Sequence, residues 1–261
     1  MSSTTSTPIK LILTGATGTA GSEVLRQALV HPKIERVTVL SRRPLPPHVA
    51  PTGGSHPKHN VVIHENYESY PPELLKHVEG HDAVVWAQGI SAVGFKEDAY
   101  MVITHDYPVA AAKAFATLKP AGGDKKLVFA CLSGRGTRRD GKSSQLFARM
   151  KLALANLPLT LPSLETYSFR PGGIVNTQPV PQAGMLQKAM SLLGPVVGPL
   201  MKKSMISTPD LANGMIEAVV RASAGTLRTE WPGKGDLGDE NAFSNEEIKK
   251  LAQYGQFATK Y

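Results

Sequence analysis

The chain of 261 residues contains one cysteine, Cys131, so no internal disulfide framework holds it together. Its stability has to come from a packed core. No apolar run approaches the ~20 residues that a spanning helix needs. Met1–Pro8 has neither the basic nor the apolar stretch that opens a secretory leader. On these grounds a cytoplasmic protein without stable membrane insertion is expected. Aromatic residues make up only 6%, and no zinc-finger spacing, basic heptad region or RNP-like pattern accompanies the net charge of +8. That charge therefore points to small phosphate-bearing anions and to no nucleic acid. Of the eight histidines, His48, His56, His59 and His64 fall in or just beyond a proline-rich stretch. No metal is expected.

What the chain does have is alternation. Hydrophobic residues at 41% and charged residues at 19% suffice for the core of one α/β domain. Ile9–Leu13 is a short apolar run suited to a strand covered on both faces. Val24, Leu25, Ala28 and Leu29 follow at helical spacing until Pro32, and Arg36–Leu40 reads as a second strand. Further strands are predicted at Val61–Ile63, Ala83–Ala87, Lys126–Leu132 and Thr166–Arg170, with helices at Pro72–Val78, Lys96–Leu118 and Gln145–Leu157. Repeated β-α units imply a doubly wound parallel sheet, a Rossmann fold, with ligands at the carboxyl ends of its strands. Residues 1–8 are read as a disordered tail and 9–261 as a single domain, with substrate-binding elements mainly in 175–261. Within that part, Gln182–Ser204 is rich in Met and Leu, broken by Gly194-Pro195 and Gly198-Pro199, and reads as a pocket wall. Asp210–Ala222 and Asn245–Tyr254 read as closing helices.

Two local signals point to a dinucleotide. Gly15, Thr17, Gly18, Thr19, Ala20 and Gly21 lie in a Gly-x-x-Gly-x-x-Gly turn between the first strand and first helix. There, backbone N–H groups and the helix dipole hold a pyrophosphate. The end of the second strand chooses the cofactor, because a carboxylate there binds the ribose hydroxyl of NAD and repels a 2′-phosphate. This chain has Ser41-Arg42-Arg43 instead, and guanidinium groups clasp phosphate, so NADP (NADPH) is the expected cofactor.

With these motifs the chain resembles the short-chain dehydrogenase/reductase superfamily, specifically its extended or atypical members. Gly15–Gly21, Ser41-Arg42-Arg43, Gln88-Gly89, Ser133-Gly134 and Arg170-Pro171-Gly172-Gly173-Ile174 fall in that family's order over most of the chain. It looks closest to the Tat-interacting-protein-like branch, whose fungal members carry similar Ser-Arg-x-Pro-Leu and Arg-Pro-Gly segments. The resemblance implies that Gln88, Gly89, Pro171, Gly172, Gly173 and Ile174 approach the cofactor and that Lys151 binds its nicotinamide ribose. It also implies a catalytic Tyr that donates a proton to a carbonyl oxygen, a Lys that lowers its pKa, and a Ser that polarises the carbonyl. In this chain the Tyr position is Phe147, which has no proton to give. Counting back from Phe147 leaves Ser133 and Gly134 as alternatives for the Ser position. Arg135 opens a basic stretch with Arg138, Arg139, Lys142 and Arg149, where an anionic or carbonyl-bearing substrate could bind. Tyr107, Tyr167 and Asp140 are the candidates to replace the missing acid.

The catalytic set expected from the sequence is therefore Lys151, Ser133, Phe147 and Arg135. The expected function is an NADPH-dependent oxidoreductase of secondary metabolism, acting on a small apolar molecule such as an iminium or enone. The alternatives are a non-redox isomerase or cyclase on the same fold and an NADP-sensing regulatory protein. A small-molecule substrate is the expected partner, and a homo-oligomer is left open.

Overall fold

The computed structural model describes residues 7–49, 56–90, 96–137, 156–157, 160–177, 204–231, 239 and 241–255. The predicted tail, the helix at Gln145–Leu157 and the segment Gln182–Ser204 lie wholly or mostly outside them.

The first unit forms because a continuous apolar strand can be buried on both faces. Strand β1 (Ile9–Thr14) leads through a glycine turn into α1 (Thr19–Val30), and β2 (Ile34–Ser41) returns beside β1. Then follow β3 (His59–Ile63), α2 (Pro72–His77) and β4 (Ala83–Trp86). The seven-stranded sheet has the order β3-β2-β1-β4-β5-β6-β9, with β5 at Leu127–Leu132, β6 at Leu164–Arg170 and β9 at Ala242–Ser244. Every pairing in it is parallel. Leu13 stands between Val39 of β2 and Val85 of β4, all buried. The chain winds outward from β1 to β3 and then crosses back to β4, so the strand order reverses between β1 and β4. A crevice opens at such a switch point.

Helices cover both faces. On one, α1, α5 (Thr208–Ser223) and α7 (Asn245–Gly255) bring Val24, Leu25, Leu211, Met215 and Leu251 onto Leu11, Leu13 and Val85. On the other, α2 and α4 (Tyr107–Phe115) bring Leu74, Ala111, Ala112 and Phe115 onto Ile12, Val84 and Phe129. A short α6 (Leu227–Glu230) links α5 to the last strand. Ser207 caps α5 by accepting the Asp210 N–H at 3.1 Å, as Thr208-Pro209-Asp210 leads one to expect. Buried His31, after α1, faces Glu217 of α5 at 3.1 Å.

Two details differ from the sequence reading. The predicted helix Lys96–Leu118 is α3 (Glu97–Met101), a π-helical turn (Val102–Asp106) and α4. The pair β7 (Gly173–Val175) and β8 (Met205–Ser207), like β9, has no signal in the sequence. These strands have three residues each, too few to show a period, and their partners are distant in the chain.

Candidate functional site

The glycine turn is built by steric exclusion. Gly15 sits at φ +73°, and a Cβ there would lie 2.6 Å from the Ala87 carbonyl carbon and the Gln88 nitrogen. The loops after β1 and β4 therefore touch backbone to backbone. The Gly18 N–H donates to the Gly15 carbonyl at 2.9 Å, which closes the turn. A Cβ on Gly21 would meet that same carbonyl oxygen at 2.1 Å, so only glycine lets α1 start this close to β1. Thr19, Ala20 and Gly21 form the first turn of α1. Gly18, at the N-cap, provides no side-chain acceptor, and the first turn holds no acidic residue. The positive end of a twelve-residue helix is thus left for an outside anion.

At the end of β2, the Ser41 carbonyl accepts the His64 N–H at 2.9 Å and the Ser41 hydroxyl donates to the Arg43 carbonyl at 2.7 Å. This curl brings Arg42 and Arg43 to the wall of one cleft with Gly15, Thr17 and Gly18. Gln88, Gly89 and Ile90 of the β4 loop close another side. No carboxylate lines the cleft among the described residues. The Gln88 Oε1 is buried and has no hydrogen-bond partner among them.

The same cleft has a wall that sequence reading did not assemble: Tyr67, Ile103 and Tyr107. The Tyr67 hydroxyl donates to the Leu40 carbonyl at 2.8 Å. Burial pushes its phenol up, against the opposing pull of Arg42, so Tyr67 stays protonated near neutral pH with its proton on the Leu40 carbonyl. Its ring meets Tyr107 at 5.8 Å and the edge of Trp86 at 5.9 Å. The helical period before Phe115 places Tyr107 only on a helix face; the sheet order turns that face to the cleft.

A second constellation lies at the carboxyl ends of β5 and β6. The Ser133 N–H donates to the Phe169 carbonyl at 2.7 Å, and the Arg135 N–H to the Pro171 carbonyl at 3.0 Å. The Ser133 and Thr137 hydroxyl oxygens are 3.1 Å apart. Thr137 gives its proton to the Gly134 carbonyl at 3.0 Å. In that arrangement Ser133 is the donor of the pair, and its proton is directed at Thr137. The exposed Arg135 side chain donates to the Ser204 hydroxyl at 3.2 Å. Gly172 is packed so tightly that a Cβ would lie 1.9 Å from the Ser204 carbonyl oxygen. Its N–H donates to Asn245 Oδ1 at 3.2 Å, the Gly173 N–H donates to the Ser204 carbonyl at 2.8 Å, and Ile174 continues into β7. Pro171, Gly172, Gly173 and Ile174 thus form a braced loop and strand, apart from the lining of the first cleft. Tyr167 is buried in β6, its hydroxyl held by Glu165 and its phenol pushed up by burial, so it is committed away from either site. Phe147 and Lys151, with Arg138, Arg139, Asp140, Lys142 and Arg149, lie outside the described residues.

Among the described residues no group of three His, Cys, Asp or Glu side chains is placed to hold a metal. None of their helices is long and apolar enough to cross a membrane.

No protein-family model matches the chain. A stretch of 108 residues is 33% identical to leucinostatins biosynthesis cluster protein T of Purpureocillium lilacinum, covering 41% of this chain and 38% of that protein. The match thus spans well under half the length of that relative. Among solved structures, an oxidoreductase of the short-chain dehydrogenase/reductase family from Burkholderia thailandensis superposes with a TM-score of 0.60 at 14% identity. That likeness covers 98% of this chain and all of the other, 100%. The Bordetella bronchiseptica enzyme WbmF, solved in complex with NADH, superposes with a TM-score of 0.59 at 13% identity over 99% of this chain and 80% of its own. The chain has the Rossmann-type α/β fold of the short-chain dehydrogenase/reductase structures.

Proposed function

We propose that this protein is an enzyme, an NADPH-dependent reductase of the atypical short-chain dehydrogenase/reductase kind, acting on a small apolar substrate. The observation that carries the reading is the first cleft, which joins an uncapped helix N-terminus to Arg42 and Arg43 with no carboxylate among its described lining. The turn at Gly15–Gly21 fits a diphosphate because Gly15 and Gly21 let the loop close tightly against the start of α1, whose N-terminus has no side-chain cap and no acidic residue. Arg42 and Arg43 would hold the 2′-phosphate. Lys151, by its motif position, would hold the nicotinamide ribose. NADPH supplies hydride when bound.

Phe147 shapes the substrate choice. A carbonyl oxygen needs a proton as its carbon is reduced, whereas an iminium nitrogen is neutralised by the electron pair released on reduction and needs none. An iminium carbon, or an enone protonated from solvent, therefore suits a site with phenylalanine at the acid position. The likeness to a leucinostatins biosynthesis cluster protein of Purpureocillium lilacinum supports a setting in secondary metabolism. The NADH complex of WbmF supports a nicotinamide cofactor.

A second reading keeps the cleft and drops the redox step: an isomerase or cyclase, or an NADP sensor. It is favoured by the commitment of the Ser133 proton to Thr137, which leaves that hydroxyl without a proton for a substrate carbonyl.

Titration of NADPH and NADH into the purified protein, followed by assay of NADPH loss with imines and enones, tests both readings. Micromolar NADPH affinity, a preference over NADH of about 10- to 100-fold that Arg42→Ala and Arg43→Ala abolish, and cofactor consumption are expected. Tight binding without consumption over the panel transfers the case to the second reading. No binding of either nucleotide refutes the reductase and the sensor.

A further inference from the structure

The helix after β4 is interrupted at one point, and the interruption has a covalent cause. In the π turn Val102–Asp106 the Tyr107 N–H donates to the Val102 carbonyl, five residues back. The next residue is Pro108. Proline has no N–H to give the Thr104 carbonyl, and in a regular α-helix its ring would press against that oxygen. Widening the turn by one residue moves the carbonyl aside. The extra residue cannot easily migrate, because buried Tyr100 anchors α3 while buried Pro108, Ala111, Ala112 and Phe115 anchor α4.

This turn and the residue after it bring two side chains, Ile103 and Tyr107, to the lining of the cleft that also holds Gly15 and Gly18. The Tyr107 ring lies tilted by 31° over Tyr67, which its hydrogen bond to the Leu40 carbonyl and its edge contact with Trp86 hold still. Closing the π turn to an α turn would rotate the two flanks by up to about 100° relative to one another, one residue's worth of helix. Ile103 and Tyr107 would then not keep their shared aspect.

We infer that Pro108 is a positioning residue of the cleft: by forcing the π turn it holds Tyr107 against Tyr67, and the paired rings form the wall on which a planar part of the ligand rests. The ligand half of this inference rests on the reading of the cleft as a nucleotide site. Tyr107 and Arg42 come from different elements of the cleft lining, so wall and phosphate ends can be altered separately.

The test uses the full chain as wild type, Tyr107→Ala, Pro108→Ala and the double variant, with Arg42→Ala as the phosphate-end control. NADPH dissociation constants, melting temperatures and near-ultraviolet circular dichroism are measured for each. Tyr107→Ala is expected to weaken NADPH about 10-fold, the scale of one lost ring contact with a base. Pro108→Ala should weaken it by a similar factor with no fall in melting temperature, since alanine restores an N–H and favours the helix. The double variant should be no weaker than Tyr107→Ala alone, because both changes act through one ring. Pro108→Ala should also alter the aromatic dichroism without any nucleotide present. Unchanged dichroism or affinity in Pro108→Ala overturns the inference, as do factors that multiply in the double variant. If Arg42→Ala weakens NADPH while Tyr107→Ala does not, the inference fails and the nucleotide reading stands. If wild type binds no NADPH, the functional reading fails, and the dichroism still decides whether Pro108 holds the ring.

Discussion

Gly15→Ala separates two costs that a glycine turn usually mixes. A methyl group at this position must adopt φ +73°, and it must also sit 2.6 Å from the backbone of Ala87 and Gln88. The left-handed conformation costs about 1–2 kcal/mol. Loss of unfolded-state freedom returns about 0.4–1 kcal/mol. Forcing a group into packed backbone costs about 1–3 kcal/mol more. The fold contains its own controls, because Gly80 and Gly225 have φ values of +71° and +73° with nothing within 4 Å of the added Cβ. Gly80→Ala and Gly225→Ala should therefore carry the conformational cost alone, and Gly15→Ala should be less stable than either by about 1–3 kcal/mol. Urea unfolding with unchanged m values is the assay. For a chain of this size the difference corresponds to a fall in melting temperature of about 2–4 °C per kcal/mol. The substitution should also push the β4 loop off the cleft and weaken NADPH, while the two control variants leave binding alone. Equal destabilisation at all three positions would refute the claim that the loops after β1 and β4 are held in backbone contact.

Acid should unfold the protein partly through His81, whose Nε2 lies 2.9 Å from the Thr38 hydroxyl and whose pKa burial lowers from 6.5 to about 4. Because the folded value lies below the unfolded one, this stability is complete above pH ~6.5 and is lost as pH falls toward ~4, by up to about 3 kcal/mol. Urea titrations from pH 7.5 to 4.5 should show a steeper decline in wild type than in His81→Asn; parallel curves would contradict it. The buried pair of Arg170 and Asp239, 2.5 Å apart and at most 3% exposed, gives a second test. Asp239→Ala should cost about 3–5 kcal/mol by removing the carboxylate paired with a buried guanidinium, whereas the joint change Arg170→Met with Asp239→Leu should cost much less. Asn245 accepts from the Gly172 N–H and donates to the Met205 carbonyl, each at 3.2 Å. Asn245→Ala should destabilise by about 1–3 kcal/mol through the unpaired backbone groups, and faster amide exchange at Gly172 would report it.

The shape of the cleft around the glycine turn and Arg42-Arg43 was legible in the sequence because its information is local. Strand β1, the glycine turn, α1 and the Arg42-Arg43 curl occupy one continuous stretch, and each residue type there has a backbone or charge reason that needs no distant partner. The apolar runs likewise specified a parallel α/β sheet. Everything that depends on which segments meet across the sheet was decided by tertiary structure. Gly15 is confined by Ala87 and Gln88, far along the chain, only because β1 lies beside β4. Tyr67 and Tyr107 become one wall because the strand order reverses there, and Pro108 acts on the cleft only through a turn that both helix flanks lock in place. Arg170, which reads as the end of a strand and the start of the Arg-Pro-Gly-Gly segment, is a buried side chain paired with Asp239, 69 positions away. Composition and periodicity determine which faces are apolar and which turns are tight. The contacts that direct a proton or orient a ring arise when right-handed crossovers bring those faces together.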